Sequence, residues 1–172
     1  SPVSRISREY FDYYENRYPG LIEMRQPVMT DDRTANELRV MEHYFLPRNA
    51  LEADGLQQDF VFATEGLVDR YPDRLKSPRR LPLLVAGPWV ATHEIEVIGG
   101  PIEFEPPEDV VIRNPAFDFT LDGRASEGGN MVLRWRFQPK VRSVPAEEVE
   151  AVLSDVQAVR DATWYSWDLT PE

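Results

Sequence analysis

The chain has no cysteine and only two histidines, His43 and His93, among its 172 residues. Disulfides, thiolate metal ligands and a cysteine nucleophile are therefore excluded within it. No apolar run approaches the ~20 residues that a membrane-spanning helix needs, and the opening "SPVSRISREY" lacks the apolar core of a signal peptide. No membrane insertion is expected, and a start at Ser1-Pro2 rather than Met is what a trimmed fragment would show. Phosphate-binding patterns are missing, since neither G-x-x-x-x-G-K-[ST] nor G-x-G-x-x-G occurs. A G-x-S-x-G nucleophile elbow is missing too. Positive charge is scarce: 19 Lys+Arg stand against 30 Asp+Glu, a net charge of −11. Residues 1–86 hold 12 cations against 14 acids, whereas residues 87–172 hold 7 against 16. Such a surface repels a phosphate backbone, so no nucleic-acid partner is expected.

What is present in quantity is aromatic, with seven Tyr, eight Phe and four Trp, enough large packing groups for a folded core. Fifteen prolines interrupt the chain, a density that suits strand ends and loops better than long helices. "SRISREYFDYYENRYPG" predicts an aromatic-sided helix that Ser4 or Ser7 could cap and that Pro19-Gly20 ends. From residue 21 the period falls to two. "LIEMRQPVM" and "ELRVMEHYFL" predict strands, with Leu38, Val40, Glu42 and Tyr44 on one face and Arg39, Met41, His43 and Phe45 on the other. Further strands are predicted in "LQQDFVFAT", 81–85, "WVATHEIEVIG", "VVIR", "AFDFTLDGRAS" and "NMVLRWRFQPKVR". The last two are joined by "EGGN". Leu133, Trp135 and Phe137 against Arg134, Arg136 and Gln138 make a half-buried strand with one side in water. The stretch 143–167 predicts a second helix, with Ser143, Pro145 and Glu147-Glu148 at its start and a stripe of Val149, Val152, Leu153, Val156 and Val159. The expected class is mainly β: an antiparallel β-sandwich or open barrel of seven to eight strands with a helix at each end. The expected divisions are 1–20, 21–142 and 143–172.

The polar stretch 30–36, "TDDRTAN", with Glu42 and His43 nearby, raises the question of a metal or catalytic cluster. It lacks the D-x-[DN]-x-[DN]-G calcium pattern, and a zinc site built on two histidines would need carboxylates from elsewhere. Asp and Asn bonding nearby backbone amides in a hairpin turn is the better reading. Paired carboxylates for glycoside hydrolysis require a fixed separation that no sequence shows. Five cations, Arg70, Arg74, Lys76, Arg79 and Arg80, mark a surface loop that could dock an acidic partner, the solvated alternative being pairing with Asp69 and Asp73. Exposed aromatics on a sandwich could stack on sugar rings, with Trp89, Trp135, Trp164 and Trp167 as candidates and Trp135 assigned to the core.

"REYFDYYENRYPGL", "TDDRTANELRVMEHY", "SPRRLPLLVAGPWVATHEIEV" and "VPAEEVEAVLSDVQAVRD" together resemble the accessory β region of bacterial transglutaminase-like proteins. The matching positions are Tyr10, Tyr14, Tyr18-Pro19-Gly20, Asp31-Asp32, Asn36, Glu42, Tyr44, Pro78-Arg79 and Pro82-Leu83. The resemblance implies a β-sandwich joined to a transglutaminase-type core in an exported or periplasmic bacterial protein. That family's chemistry uses a cysteine activated by a histidine, and no catalytic residue carries over to a chain without cysteine. The expected function is a non-catalytic accessory domain, not an enzyme and without a cofactor, that packs on or positions a transglutaminase-like catalytic domain. The partner-docking residues would be Tyr10, Tyr14, Arg74, Arg79, Arg80, Trp164 and Trp167. The alternative is a carbohydrate- or ligand-binding β-sandwich module.

Overall fold

The computed structural model describes residues 2–47, 52–53, 56–57, 60–64, 66–75, 77–85, 87–99, 105–126 and 130–167. Two compact units divide the chain: Ser1–Phe60 with Trp167–Glu172, and Val61–Ser166.

In the first unit, α1 (Pro2–Arg17) begins on a proline, whose fixed φ and missing N–H suit a first helical turn. Ser4 and Ser7, expected as caps, therefore sit inside the helix rather than before it. Gly20, at φ 94°, lets the chain reverse, and the Leu21 amide then donates to the Tyr18 carbonyl at 3.0 Å. Strands β1 (Ile22–Asp32) and β2 (Glu37–Phe45) form an antiparallel hairpin. Its turn explains the acidic cluster: Asp32 Oδ1 accepts the Thr34 and Ala35 amides, each at 2.9 Å, and Asn36 takes the left-handed φ of 53°. The register jumps twice, between Glu23 and Arg25 and between Arg25 and Val28, so the eleven residues of β1 match the nine of β2 through two bulges. A minimal antiparallel pair, β3 (Glu52–Ala53) with β4 (Leu56–Gln57), follows.

The second unit opens with β5 (Phe60–Ala63), which starts at the boundary, and β6 (Leu83–Leu84). Its main sheet comprises β7 (Ala91–Val97), β8 (Val110–Arg113), β9 (Phe117–Ser126) and β10 (Asn130–Pro139) in the antiparallel order β7-β10-β9-β8. The expected "EGGN" turn falls largely outside the described residues. Then come β11 (Ser143–Val144), which pairs with β6, α2 (Val149–Asp161), and β12 (Trp164–Trp167), which pairs with β5. The mainly β, antiparallel class with a helix near each end is thus the observed one, and among the described residues no sheet closes into a barrel.

Alternation along β10 sends Met131, Leu133, Trp135 and Phe137 into a dry core, each fully buried, and leaves Arg134, Arg136 and Gln138 on the other face. Phe117 and Phe119 from β9 are equally buried. Helix α2 supplies the predicted stripe, with all five of its apolar members buried. It is fastened by the Trp135 Nε1–H, which donates to the Ala162 carbonyl at 2.8 Å and so satisfies the one polar atom of the largest buried side chain. Ring packing completes the layer: Phe117 and Phe137 lie 5.1 Å apart, with Tyr71 T-shaped against both. Each such side chain contributes roughly 1.5–3 kcal/mol by leaving water, before ordering entropy is subtracted.

The second helix is shorter than expected at both ends. Ser143 does not cap it; Ser143 and Val144 pair instead with Leu84 and Leu83, and Glu148 occupies the cap position without a side-chain bond. Pro145 disfavours helical backbone at Val144, and strand pairing takes that residue. Past Asp161 the aromatic "TWYSW" becomes β12, in keeping with the strand preference of bulky rings.

Candidate functional site

Within the first unit the two hairpin faces differ. Cross-strand pairs share a face, so Tyr44, Glu42 and Glu23 lie together. Phe11 and Tyr14 of α1 bring their rings to within 6.3 and 5.3 Å of Tyr44. Burial raises the pKa of Glu42 above its ordinary value, and repulsion from Glu23 adds to this while the Tyr44 hydroxyl opposes it. The Tyr44 phenol is itself pushed well up, first by burial and then by the Glu42 charge. His43 Nδ1 is buried without a hydrogen-bond partner among the described residues. On the opposite face the pairs Ile22–Phe45 and Val28–Met41 flank Arg25–His43. Those four apolar side chains are about half exposed, between 49 and 58%, and Met24 in the first bulge is 60% exposed.

In the second unit the water-facing side of the main sheet holds a shallow depression of about 560 Å³, lined by Arg113, Asn114, Asp118, Thr120, Arg136 and Lys140, with Pro115 at the rim. Strand register assembles it. Arg113 of β8 is paired with Asp118 of β9, Asp118 with Gln138 of β10, and Thr120 with Arg136. Asn114 stiffens the rim: its Oδ1 accepts the Ala116 and Phe117 amides at 2.8 and 2.9 Å, while its Nδ2 donates to Asp155 of α2 at 2.8 Å. Lys140 is held at both ends, its amide on the Ala116 carbonyl at 2.8 Å and its ammonium on Asp118 at 2.9 Å. Arg136 donates only to the neutral Gln138, and Arg113 has no hydrogen bond or ion pair among the described residues. The neighbouring stretch of the same face is self-neutralised by Arg134 with Glu94 and by Arg124 with Asp122.

The sequence-derived docking residues are dispersed. Tyr10 and Tyr14 are one turn apart on α1; the Tyr10 side chain lies outside the described residues, and Tyr14 is half-buried beside Tyr44 and Tyr13. Arg74, Arg79 and Arg80 are exposed in the 70–80 loop, of which Lys76 is not described. Arg79 is spent on the Leu81 and Pro82 carbonyls, both at 3.2 Å. Asp73, read as a partner for the loop cations, pairs instead with Arg160 of α2 at 3.2 Å, since Arg160 is anchored nearby on the Tyr71 carbonyl at 2.8 Å. Trp164 is exposed on β12, and the Trp167 side chain lies outside the described residues. Trp135 is core and Trp89 leans on Phe137 at 5.7 Å, so the described tryptophans form no exposed row on a sheet face.

Asp31, Asp32 and His43 do not converge. Asp31 is opposite Leu38, five positions along β2 from His43, which is roughly 17 Å of strand. Asp31 pairs with Arg33 at 3.2 Å. Among the described residues no group of three or more His, Asp or Glu could hold a metal ion, and no helix is long and apolar enough to cross a membrane. Arg113, Arg136 and Lys140 had not been singled out from the sequence; the available signal was that they are three of only seven cations in residues 87–172. Comparison with protein-family models, with curated proteins and with solved structures found no match.

Proposed function

We propose that this chain is a non-catalytic accessory domain that packs on and positions a transglutaminase-like catalytic domain of the same chain or complex. The observation that carries the reading is the bare apolar face of the β1–β2 hairpin, where Ile22, Val28, Met41 and Phe45 are each about half exposed. A two-stranded sheet is marginal by itself in water, and grouped exposed apolar side chains mark a surface made to be covered. The resemblance of the segments around Tyr14, Asp31-Asp32 and Tyr44 to the accessory region of transglutaminase-like proteins names the kind of domain that covers it.

The test is binding between this chain and a separately expressed transglutaminase-type core, followed by calorimetry. Association is expected, and Met41→Asp with Phe45→Asp is expected to abolish it while leaving the circular dichroism of the chain unchanged. Absence of association in both mixed and covalently linked forms, or association indifferent to the two substitutions, overturns the reading.

A further inference from the structure

The depression on the main sheet gathers positive charge in a chain that has little to spare. Residues 87–172 contain seven Lys+Arg, and three of them, Arg113, Arg136 and Lys140, line this one hollow with a single carboxylate, Asp118. Elsewhere on the same face cations are matched one to one with acids, as Arg134 with Glu94 and Arg124 with Asp122. Like charges collected on one surface repel, and among the described residues neither Arg113 nor Arg136 forms an ion pair that would offset that repulsion. Asp118 is already committed to Lys140 at 2.9 Å, and Arg136 touches only the amide oxygen of Gln138 at 2.8 Å.

We infer that this hollow is a binding site for a small oxyanion, a phosphate or carboxylate group carried on a polar body. Arg113 on β8 is opposite Asp118 of β9 and Arg136 on β10 is opposite Thr120, two strand spacings across and two residues along, so their backbones are roughly 12 Å apart. Thr120, on the strand between them and directly opposite Arg136, adds a hydroxyl-bearing side chain to the lining. A planar guanidinium on each side presents paired N–H donors to an oxyanion, the geometry in which arginine surpasses lysine. Lys140 adds a third charge at the rim. Asp118 accepts hydrogen bonds, which fits hydroxyls on the body of the ligand better than a second anionic group. The floor is rigid, because Asn114 ties the β8–β9 turn to α2 and the Lys140 backbone to that turn is closed by the Ala116 carbonyl. Little ordering is therefore left for the ligand to impose. The site lies wholly in the second unit and does not depend on the hairpin face or on the proposed partner.

The experiment is an amide chemical-shift titration of the full chain with inorganic phosphate, with acetate and with glycerol phosphate, each against sodium chloride at matched ionic strength. Saturable shifts confined to residues 111–120 and 134–141 are expected, and Arg113→Gln with Arg136→Gln should weaken binding at least roughly tenfold, since two charge-assisted hydrogen-bonding groups are lost. Phosphate binding more tightly than acetate assigns the site to phosphorylated ligands, the reverse order to carboxylates, and tighter binding of glycerol phosphate than of phosphate confirms a role for the body. Non-saturating shifts equal to those of chloride mean an adventitious ion only and overturn the inference, as does a titration unchanged in the double variant. Should that variant not fold, Lys140→Gln and Thr120→Val provide the same readout, and unchanged binding in both is equally fatal.

Discussion

Strands β2 and β10 are built on the same alternation and meet opposite fates. In β10 every second side chain from Met131 to Phe137 is fully buried, because α2 and the rings of Phe117 and Tyr71 close over that face. In β2 Leu38 is 63% exposed and Met41 and Phe45 are about half exposed, while the described rings of α1, Phe11 and Tyr14, gather at Tyr44 near one end of one face. Period-two patterning states which side chains share a face. Whether that face is dry depends on what the rest of the fold brings to it, and the hairpin unit brings little.

The sharpest way to break this contrast is to truncate one ring in each strand. Trp135→Ala should cost about 3–5 kcal/mol, the range for a large aromatic removed from a packed core, with the Ala162 carbonyl losing its donor as well. Phe45→Ala should cost less than about 1 kcal/mol, because roughly half of that ring is already in water. Urea unfolding of the two variants checks this, and equal costs would show that the hairpin face is covered in solution. Next in size is Asn114→Ala, which removes three hydrogen bonds and should cost about 1–3 kcal/mol. Amide exchange should then rise first at Ala116 and Phe117; a loss spread evenly over both units would contradict the local role given to this side chain.

The smallest effect distinguishes the units by pH. Glu42 has a folded pKa above its ordinary 4.5, so the hairpin unit binds its proton more tightly when folded. That contribution is complete below 4.5 and disappears as pH rises through the raised value. His93, with its ring 5.7 Å from that of Trp135, is moved the other way, its pKa lowered from 6.5 by burial. Its contribution is complete above 6.5 and fades as pH falls through the lowered value. Acidification from pH 7 should therefore act in opposite directions on the two residues' units, and Glu42→Gln and His93→Gln should each flatten only its own unit's response in pH-dependent amide exchange. Flattening of the same unit by both variants would refute the assignment.

What could be read locally in the sequence is what local physics controls. The turn at 31–36 is written in Asp32 and Asn36, the α2 stripe in the spacing of its valines, and the core role of Trp135 in the alternation around it. The start of α2 departs from its local pattern for an instructive reason. Ser143, Pro145 and two glutamates satisfy a capping pattern, yet Val144 is claimed by Leu83, sixty-one positions earlier, and no local signal announces that pairing. The oxyanion hollow was invisible for the same cause. Arg113, Thr120 and Arg136 become neighbours only through the register of three strands, and Lys140 only through a turn closed by Ala116.

The two bulges in β1 carry a consequence for solubility. A long, regular, apolar ribbon exposes rows of unmet amides and carbonyls along its edges and invites a second copy to add itself as another strand. Two extra residues within eleven disturb that row and increase its twist, so an incoming strand finds no straight template. The hairpin can thus leave apolar side chains exposed on one side while its flanks resist fibrous self-association.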